Sequence, residues 1–317
     1  MHGKARQSGR DYFIRVPTPT RADVQRPRII IALAIVYLIW GSTYLAILFA
    51  IETLPPLLMI GSRFLIAGTI LYAAIRARGT PKPTRENWIH ASLIGVMLLA
   101  CGTGVVVWAE ERVASGIAAL LVSVVPLWMV LIDWLRPRGR KPSAWVMAGV
   151  VVGLAGLWIL ADPLASGGNR NLFVEAMLML AALSWAAGSV YSKHAPLPES
   201  KFLTTAIEML AGGAALIFVG LVTGELASFH PHAVSARSWL SLLYLIVFGS
   251  LIAFSAYVWL LQAVSPALVS TYAFVNPVVA VFLGWAFASE PITHRTLVAA
   301  AIIIGGVALI TIGRRDD

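Results

Sequence analysis

Ten stretches of this chain are apolar for about the ~20 residues that a helix needs to cross the hydrocarbon of a bilayer, and this fixes the class of fold before any motif is read. They run roughly Ile29–Ala50, Leu57–Ile75, Trp88–Ala109, Ser115–Leu135, Ser143–Ala161, Phe173–Tyr191, Lys201–Thr223, Ser238–Leu261, Pro266–Ala288 and Thr293–Gly313. A spanning segment finds no water for its peptide groups, so it is a helix or part of a closed barrel. The apolar/polar alternation of a barrel strand is absent. The expected fold is an all-α membrane protein with ten transmembrane helices.

Charge follows the same logic. Only 12% of the 317 residues are charged, yet the net charge is +9. An excess of that size in a soluble chain would suggest nucleic acid, but its distribution excludes that reading. With the N-terminus inside, 19 of the 24 Lys and Arg fall on cytoplasmic segments, four on the opposite side (Arg112, Arg170, Arg237, Arg295), and Arg63 inside a span. This is the positive-inside bias, and ten spans place both termini in the cytoplasm. Residues 1–28, polar and Arg-containing, read as a disordered cytoplasmic tail that sets topology. The first apolar stretch is too long for a signal-peptide core, so it reads as a retained span. Cys101 is the sole cysteine, which excludes a disulfide or a cysteine-based metal site within one chain.

The chain also repeats itself. Trp88 matches Trp239, Trp108 matches Trp259, Val113 matches Val264 and Pro126 matches Pro277, all at a separation of 151 residues. Gly41-Ser42-Thr43-Tyr44 returns as Gly188-Ser189-Val190-Tyr191 after 147, and Gly156-Leu157 as Gly306-Val307 after 150. The reading is two repeats, residues 29–161 and 173–313. Each holds five spans, an odd number, so the second lies inverted relative to the first. Inverted repeats mark secondary transporters, whose substrate sits near the midplane between the halves. Spans five and ten carry glycines, including Gly149 and Gly153 in small-xxx-small spacing, but almost no polar groups; they are expected to serve as scaffold or homodimer contact.

The segments WGSTYLAILFAIETLPPLLMIGSRFLIAG from Trp40, AEERVASGIAALLVSVVPL and SPALVSTYAFVNPVVAVFLG resemble the EamA-domain permeases of the drug/metabolite transporter superfamily, closest in pattern to its YedA-like inner-membrane members. The resemblance covers residues 29 to 313. It implies ten helices in two inverted five-helix repeats, residence in a bacterial inner membrane, and movement, often export, of small metabolites such as amino acids or related compounds. The charged Glu110-Glu111-Arg112 cluster departs from the family pattern.

Candidate residues follow from polarity inside the spans. Trp40, Ser42 and Tyr44, with their repeat partners Trp185, Ser189 and Tyr191, suit a cavity wall: aromatic faces for an apolar or cationic moiety, hydroxyls for polar groups. Helix packing and the interfacial belt are the competing readings. Trp108, Tyr257 and Trp259 are candidate gates, with belt anchoring as their alternative. Tyr272 and Asn276 are the preferred polar contacts of span nine, although Asn276 equally suits the capping of carbonyls loosened by Pro277. Pro126 and Pro277 are expected to bend their helices around a cavity.

Among the acids, Glu110 is the candidate for coupling transport to protons, against an ordinary interfacial acid balanced by Arg112. Arg63 and Glu208, the deep charges, are assigned structural roles, because inversion places them in opposite leaflets. The expected partners are a small-molecule substrate and the lipid bilayer; no cofactor, metal or nucleic acid is expected. A membrane enzyme is disfavoured: His2, His90, His194, His230, His232 and His294 all lie at span ends, tails or loops, and no HExxH, paired acids in one span or Gly-rich phosphate loop is present. A lipid flippase or multidrug efflux carrier remains the alternative on the same scaffold.

Overall fold

The computed structural model describes residues 21–112, 121–137, 139, 141–161, 171–288 and 293–313. Among these residues the regular structure is entirely helical. The helices are α1 (Arg21–Ile51), α2 (Pro56–Ala77), α3 (Arg85–Gly95, continuing through a π-helical segment Val96–Gly104 into Val105–Glu110), α4 (Val125–Leu135) and α5 (Ala144–Ala161). There follow α6 (Leu172–Ser192), α7 (Lys201–Val222), α8 (Ala236–Tyr244, π-helical Leu245–Phe254, then Ser255–Ala263), α9 (Pro266–Ser270 and Tyr272–Ala288) and α10 (His294–Gly313). Seven of the described helices are long and apolar enough to cross a membrane, and α4, α5 and α9 are represented by shorter apolar helices.

Helix starts are set by local chemistry. The Thr84 side chain accepts from the Asn87 amide while the Asn87 side chain accepts from the Thr84 amide, a reciprocal cap that opens α3. Ser200, Ser235 and Ser265 cap α7, α8 and α9 in the simpler way. The start of α2 has no cap of its own and borrows one. The Glu225 carboxylate, from the turn after α7, accepts from the amides of Leu57 and Leu58 at 3.1 and 2.9 Å. An acid at a helix N-terminus also complements the helix dipole.

Glycine decides the helix contacts. Lipid tails offer no hydrophobic gain to helix association, so spans rely on close backbone approach. α2 and α7 form one such pair: a Cβ on Gly61 would lie 2.9 Å from the Ile217 nitrogen, one on Gly68 3.0 Å from the Leu210 nitrogen, and one on Gly213 2.8 Å from the Leu65 nitrogen. α5 and α10 form another, with Gly149 and Gly153 against Gly306. Further contacts cross between the two halves. α1 packs on α8 and α9, α6 on α3 and α4, and α7 on α3. A cluster from α5 and α10, centred on Val150, Leu157, Ile303 and Ile310, also takes Phe274 of α9 and stands apart from the main core.

The two prolines lie differently relative to the breaks in their helices. Leu121 and Val122 are helical, Ser123 and Val124 form a turn, and α4 begins at Val125, which puts Pro126 in its first turn rather than mid-helix. In α9 the break falls at Thr271, and Pro277 lies inside the longer piece.

The tightest of these contacts gives a test. A Cβ on Gly95 would lie 2.2 Å from the carbonyl oxygen of Glu208 and 2.6 Å from its Cα. Gly95→Ala is therefore expected to push α3 and α7 apart and cost ~1–3 kcal/mol, the usual range for overpacking. A Cβ on Gly305 meets nothing within 4 Å. Thermal melting of the detergent-purified protein should show a clear loss for Gly95→Ala and none for Gly305→Ala; equal melting temperatures would refute the contact.

Candidate functional site

A partly open cavity lies among helices of both halves. The first half supplies the later part of α1 (Trp40, Thr43, Tyr44, Ile47), the early part of α2 (Arg63, Phe64), the later part of α3 (including Thr103 and Val106) and the start of α4 (Val125). The second half supplies the middle of α6 (Ala181, Ala182, Trp185), Gly249 and Phe254 of α8, and Tyr272 and Asn276 of α9. All four contributions of the first half come from the helix ends remote from the start of α1, so the cavity lies off-centre towards that side.

Its floor is a cluster of four rings. Trp40 stands edge-on to Trp185 at 5.8 Å and to Tyr272 at 5.1 Å, while Tyr257 lies 5.0 Å from Trp40, 5.6 Å from Trp185 and 5.5 Å from Tyr272. Edge-to-face and tilted contacts at such distances are favourable because a ring's positive edge meets a negative face. The polar ends of three of these rings are hydrogen-bonded. Trp185 Nε1 donates to the Tyr257 hydroxyl at 2.9 Å, and the hydroxyls of Ser189 and Tyr257 share a hydrogen bond of 2.6 Å. Trp40 Nε1 donates to the Gly249 carbonyl at 3.2 Å. That carbonyl lies in the π-helical segment of α8. Such segments shift the ladder from i→i+4 to i→i+5 and recur at functional sites.

The wall holds one charge. Arg63 is 4% exposed, and its Nε donates to Ser250 Oγ at 2.8 Å. Its guanidinium lies 4.9 Å from the centre of the Phe64 ring. Gly249 makes room for it, since a Cβ there would sit 2.6 Å from Nη2. No Asp or Glu lines the cavity among the described residues. Glu208 is fully buried on α7, with no hydrogen-bond partner for either carboxylate oxygen among the described residues. It lies outside the cavity lining.

The structure brings together some of the candidates and separates others. Trp40, Tyr44, Trp185, Tyr272 and Asn276 border the cavity, with Tyr257 and Ser189 packed directly beneath. The Asn276 amide, oriented to donate, reaches the carbonyls of Tyr272 and Tyr37 at 3.1 and 3.2 Å, which fits its carbonyl-capping alternative and ties α9 to α1. Ser42 lies away from the cavity. It bonds the Tyr244 hydroxyl at 2.5 Å and borders a separate groove with Phe49 and Arg237. Tyr191 pairs with His90 Nδ1 at 2.5 Å near the end of α6. Trp108 packs edge-on against Phe173 at 6.2 Å under the Arg112 guanidinium, and Trp259 is half-buried; neither borders the cavity. α3 ends at Glu110, whose side chain lies outside the described part of the structure. Among the described residues no three His, Cys, Asp or Glu side chains are grouped as metal ligands would be.

Sequence reasoning favoured a structural role for Arg63 over a functional one and did not single out Gly249. The signal for Arg63 was available, because an ionisable residue deep in a span is a functional candidate by default. That Arg63 faces a cavity depends on helix rotation, which the spacing of residues alone does not supply.

Comparison with known proteins gives a consistent family. The model of the EamA-like transporter family matches residues 27–161 and again 172–312. The chain is 41% identical, over 89% of its length and 90% of the other's, to the uncharacterized inner membrane transporter YedA of Escherichia coli (strain K12). It is 26% identical to the uncharacterized transporter YoaV of Bacillus subtilis (strain 168), over 90% of this chain and 97% of that one. Protein PecM of Dickeya dadantii (strain 3937) is 27% identical over 86% and 88% of the two chains. One solved crystal structure superposes with a TM-score of 0.75 at 22% identity, covering 92% of this chain and 98% of the other, which shows a shared fold.

The hydroxyl of Tyr257 is the testable element of the floor. Tyr257→Phe keeps the ring contacts and strands the Trp185 indole donor. A buried donor left without a partner costs ~1–3 kcal/mol. Thermal melting should fall accordingly, and the Trp185 contribution to intrinsic fluorescence should change; a variant as stable as the parent with an unchanged spectrum would contradict this bond.

Proposed function

The chain belongs to the EamA-like transporter family, and from that premise we propose that it is an inner-membrane secondary carrier that moves, in the direction of export, a small metabolite such as an amino acid or a related compound. The observation that carries this reading is the cavity itself: it is aromatic below, apolar over most of its wall with a few polar groups, and lined by helices from both halves. Pockets of this kind bury a small ligand against apolar surface and orient it through a few polar groups.

Alternating access supplies the mechanism. In this reading residues 29–161 and 173–313 are two five-helix repeats, the second inverted, with ten spans and both termini cytoplasmic. Three observations support it. α2 pairs with α7 and α5 with α10, as corresponding helices do about a shared axis. The π-helical segments Val96–Gly104 and Leu245–Phe254 fall at equivalent places in α3 and α8. Equivalent positions also differ in packing: Val106 of α3 borders the cavity, while its counterpart Tyr257 of α8 is fully buried.

A conformation open towards the outer face and sealed towards the inner one has this asymmetry. Rocking of one repeat against the other would open the Tyr257 side and close the Val106 side. Trp40, Trp185 and Tyr272 hold the substrate's apolar part in either state, and Glu110 at the outer end of α3 is the group through which a proton would couple. No step requires a cofactor.

Counterflow tests the proposal. Proteoliposomes preloaded with members of a metabolite library should accumulate the matching labelled compound, with and without a pH gradient. Trp40→Ala and Trp185→Ala should each lower exchange at least ~10-fold by removing packing and ring contacts. Trp158→Ala, on the outside of α5 at 53% exposure, should leave it unchanged. If no compound exchanges, or if all three variants behave alike, the carrier reading fails.

A further inference from the structure

We propose that Arg63 is the anion-recognition residue of the cavity, and that its ligand is a free solute carrying a carboxylate on an apolar or aromatic body. Arginine keeps its charge at neutral pH, and a guanidinium away from water needs a counter-charge or a dense set of acceptors. Among the described residues Arg63 has neither. Its one hydrogen bond leaves through Nε to Ser250, and the described ion pairs lie elsewhere, between Arg112 and Glu111, Arg136 and Asp133, and Arg237 and Glu52. Among the described residues the cavity it borders contributes no Asp or Glu. An apolar-walled space with a single uncompensated cation selects a ligand that brings the anion.

Geometry narrows the group. With Nε occupied by Ser250, the two terminal nitrogens remain as a planar pair of donors. Two parallel N–H groups match the two oxygens of a carboxylate. The fit depends on Gly249, where any side chain would meet Nη2. On the same cavity, the faces of Trp40, Trp185 and Tyr272 receive the rest of the molecule.

The test uses two probes of one shape, 3-phenylpropionate and its uncharged amide, with binding read from tryptophan fluorescence of the full chain in nanodiscs of phosphatidylcholine. A charge-assisted bond should favour the carboxylate at least ~10-fold. Arg63→Gln should abolish that preference while the amide still binds as before. Arg63→Lys, which keeps the charge and loses the fork, should retain part of it. Equal binding of the two probes by the parent, or a preference surviving in Arg63→Gln, would overturn the assignment; so would loss of both probes alike in a folded Arg63→Gln, which marks a structural role. Repeating the measurement in phosphatidylglycerol nanodiscs identifies the source of the anion. Unchanged affinity supports a free solute, and competition by the lipid overturns it in favour of a headgroup.

The proposal rests on the carrier reading only for its physiological cargo. Carboxylate preference without counterflow of any compound would sink the carrier reading alone. Counterflow of an uncharged compound with no carboxylate preference would sink this one alone.

Discussion

The close approach of α2 to α7 is the contact on which the arrangement depends. Hydrocarbon gives two apolar helices no reason to prefer each other over lipid, so what holds them is dispersion between backbones brought near enough to touch. Gly61 and Gly68 on one helix, and Gly213 on the other, make that possible where any Cβ would meet backbone atoms. Gly95 and Gly212 extend the same device from α7 to α3. Because these contacts join one half of the chain to the other, the space between the halves is defined by backbone geometry and not by flexible side chains.

Within that frame the polar groups are placed with economy. The buried hydroxyls and indoles of the floor bond each other, as groups in a medium without water must. Trp185, Ser189 and Tyr257 form one such set, and Tyr37, Thr271 and Asn276 another that ties α1 to α9. Some deep side chains depart from this economy, among them Trp128 and Ser255, whose Nε1 and Oγ have no partner among the described residues. Arg63 borders an apolar-walled cavity with one hydrogen bond, from Nε to Ser250, and both carboxylate oxygens of Glu208 lack partners among the described residues. Where a protein leaves a charge underpaired at membrane depth, the missing partner is a reasonable place to look for function.

The two π-helical segments are a second departure from regular structure. Each lies midway along a helix that borders the cavity, α3 in one case and α8 in the other. The Gly249 carbonyl in one accepts from Trp40, and the Met97 carbonyl in the other accepts from Ser184 at 3.0 Å. Both acceptors bind a side chain from the opposite half of the chain. These segments therefore join the halves by hydrogen bonds where the glycines join them by packing.

Much of this was written in the chain. Apolar runs of about twenty residues, the Lys/Arg asymmetry and the recurrence of Trp, Gly and Pro at nearly constant separation are one-dimensional signals, and each reports a one-dimensional constraint: bilayer thickness, membrane sidedness and reuse of one unit. The aromatic candidates Trp40, Trp185 and Tyr272 were legible as polar-tipped rings inside spans. The tertiary structure alone decided which side of each helix faces the cavity. Rotation separated Ser42 from its neighbours Trp40 and Tyr44, left Trp108 and Trp259 off the cavity, and turned Arg63 into the wall. The physical reason is that helix rotation is fixed by interlocking contacts between residues far apart in the chain, Gly61 with Ile217 or Gly249 with Arg63, and no local pattern records those.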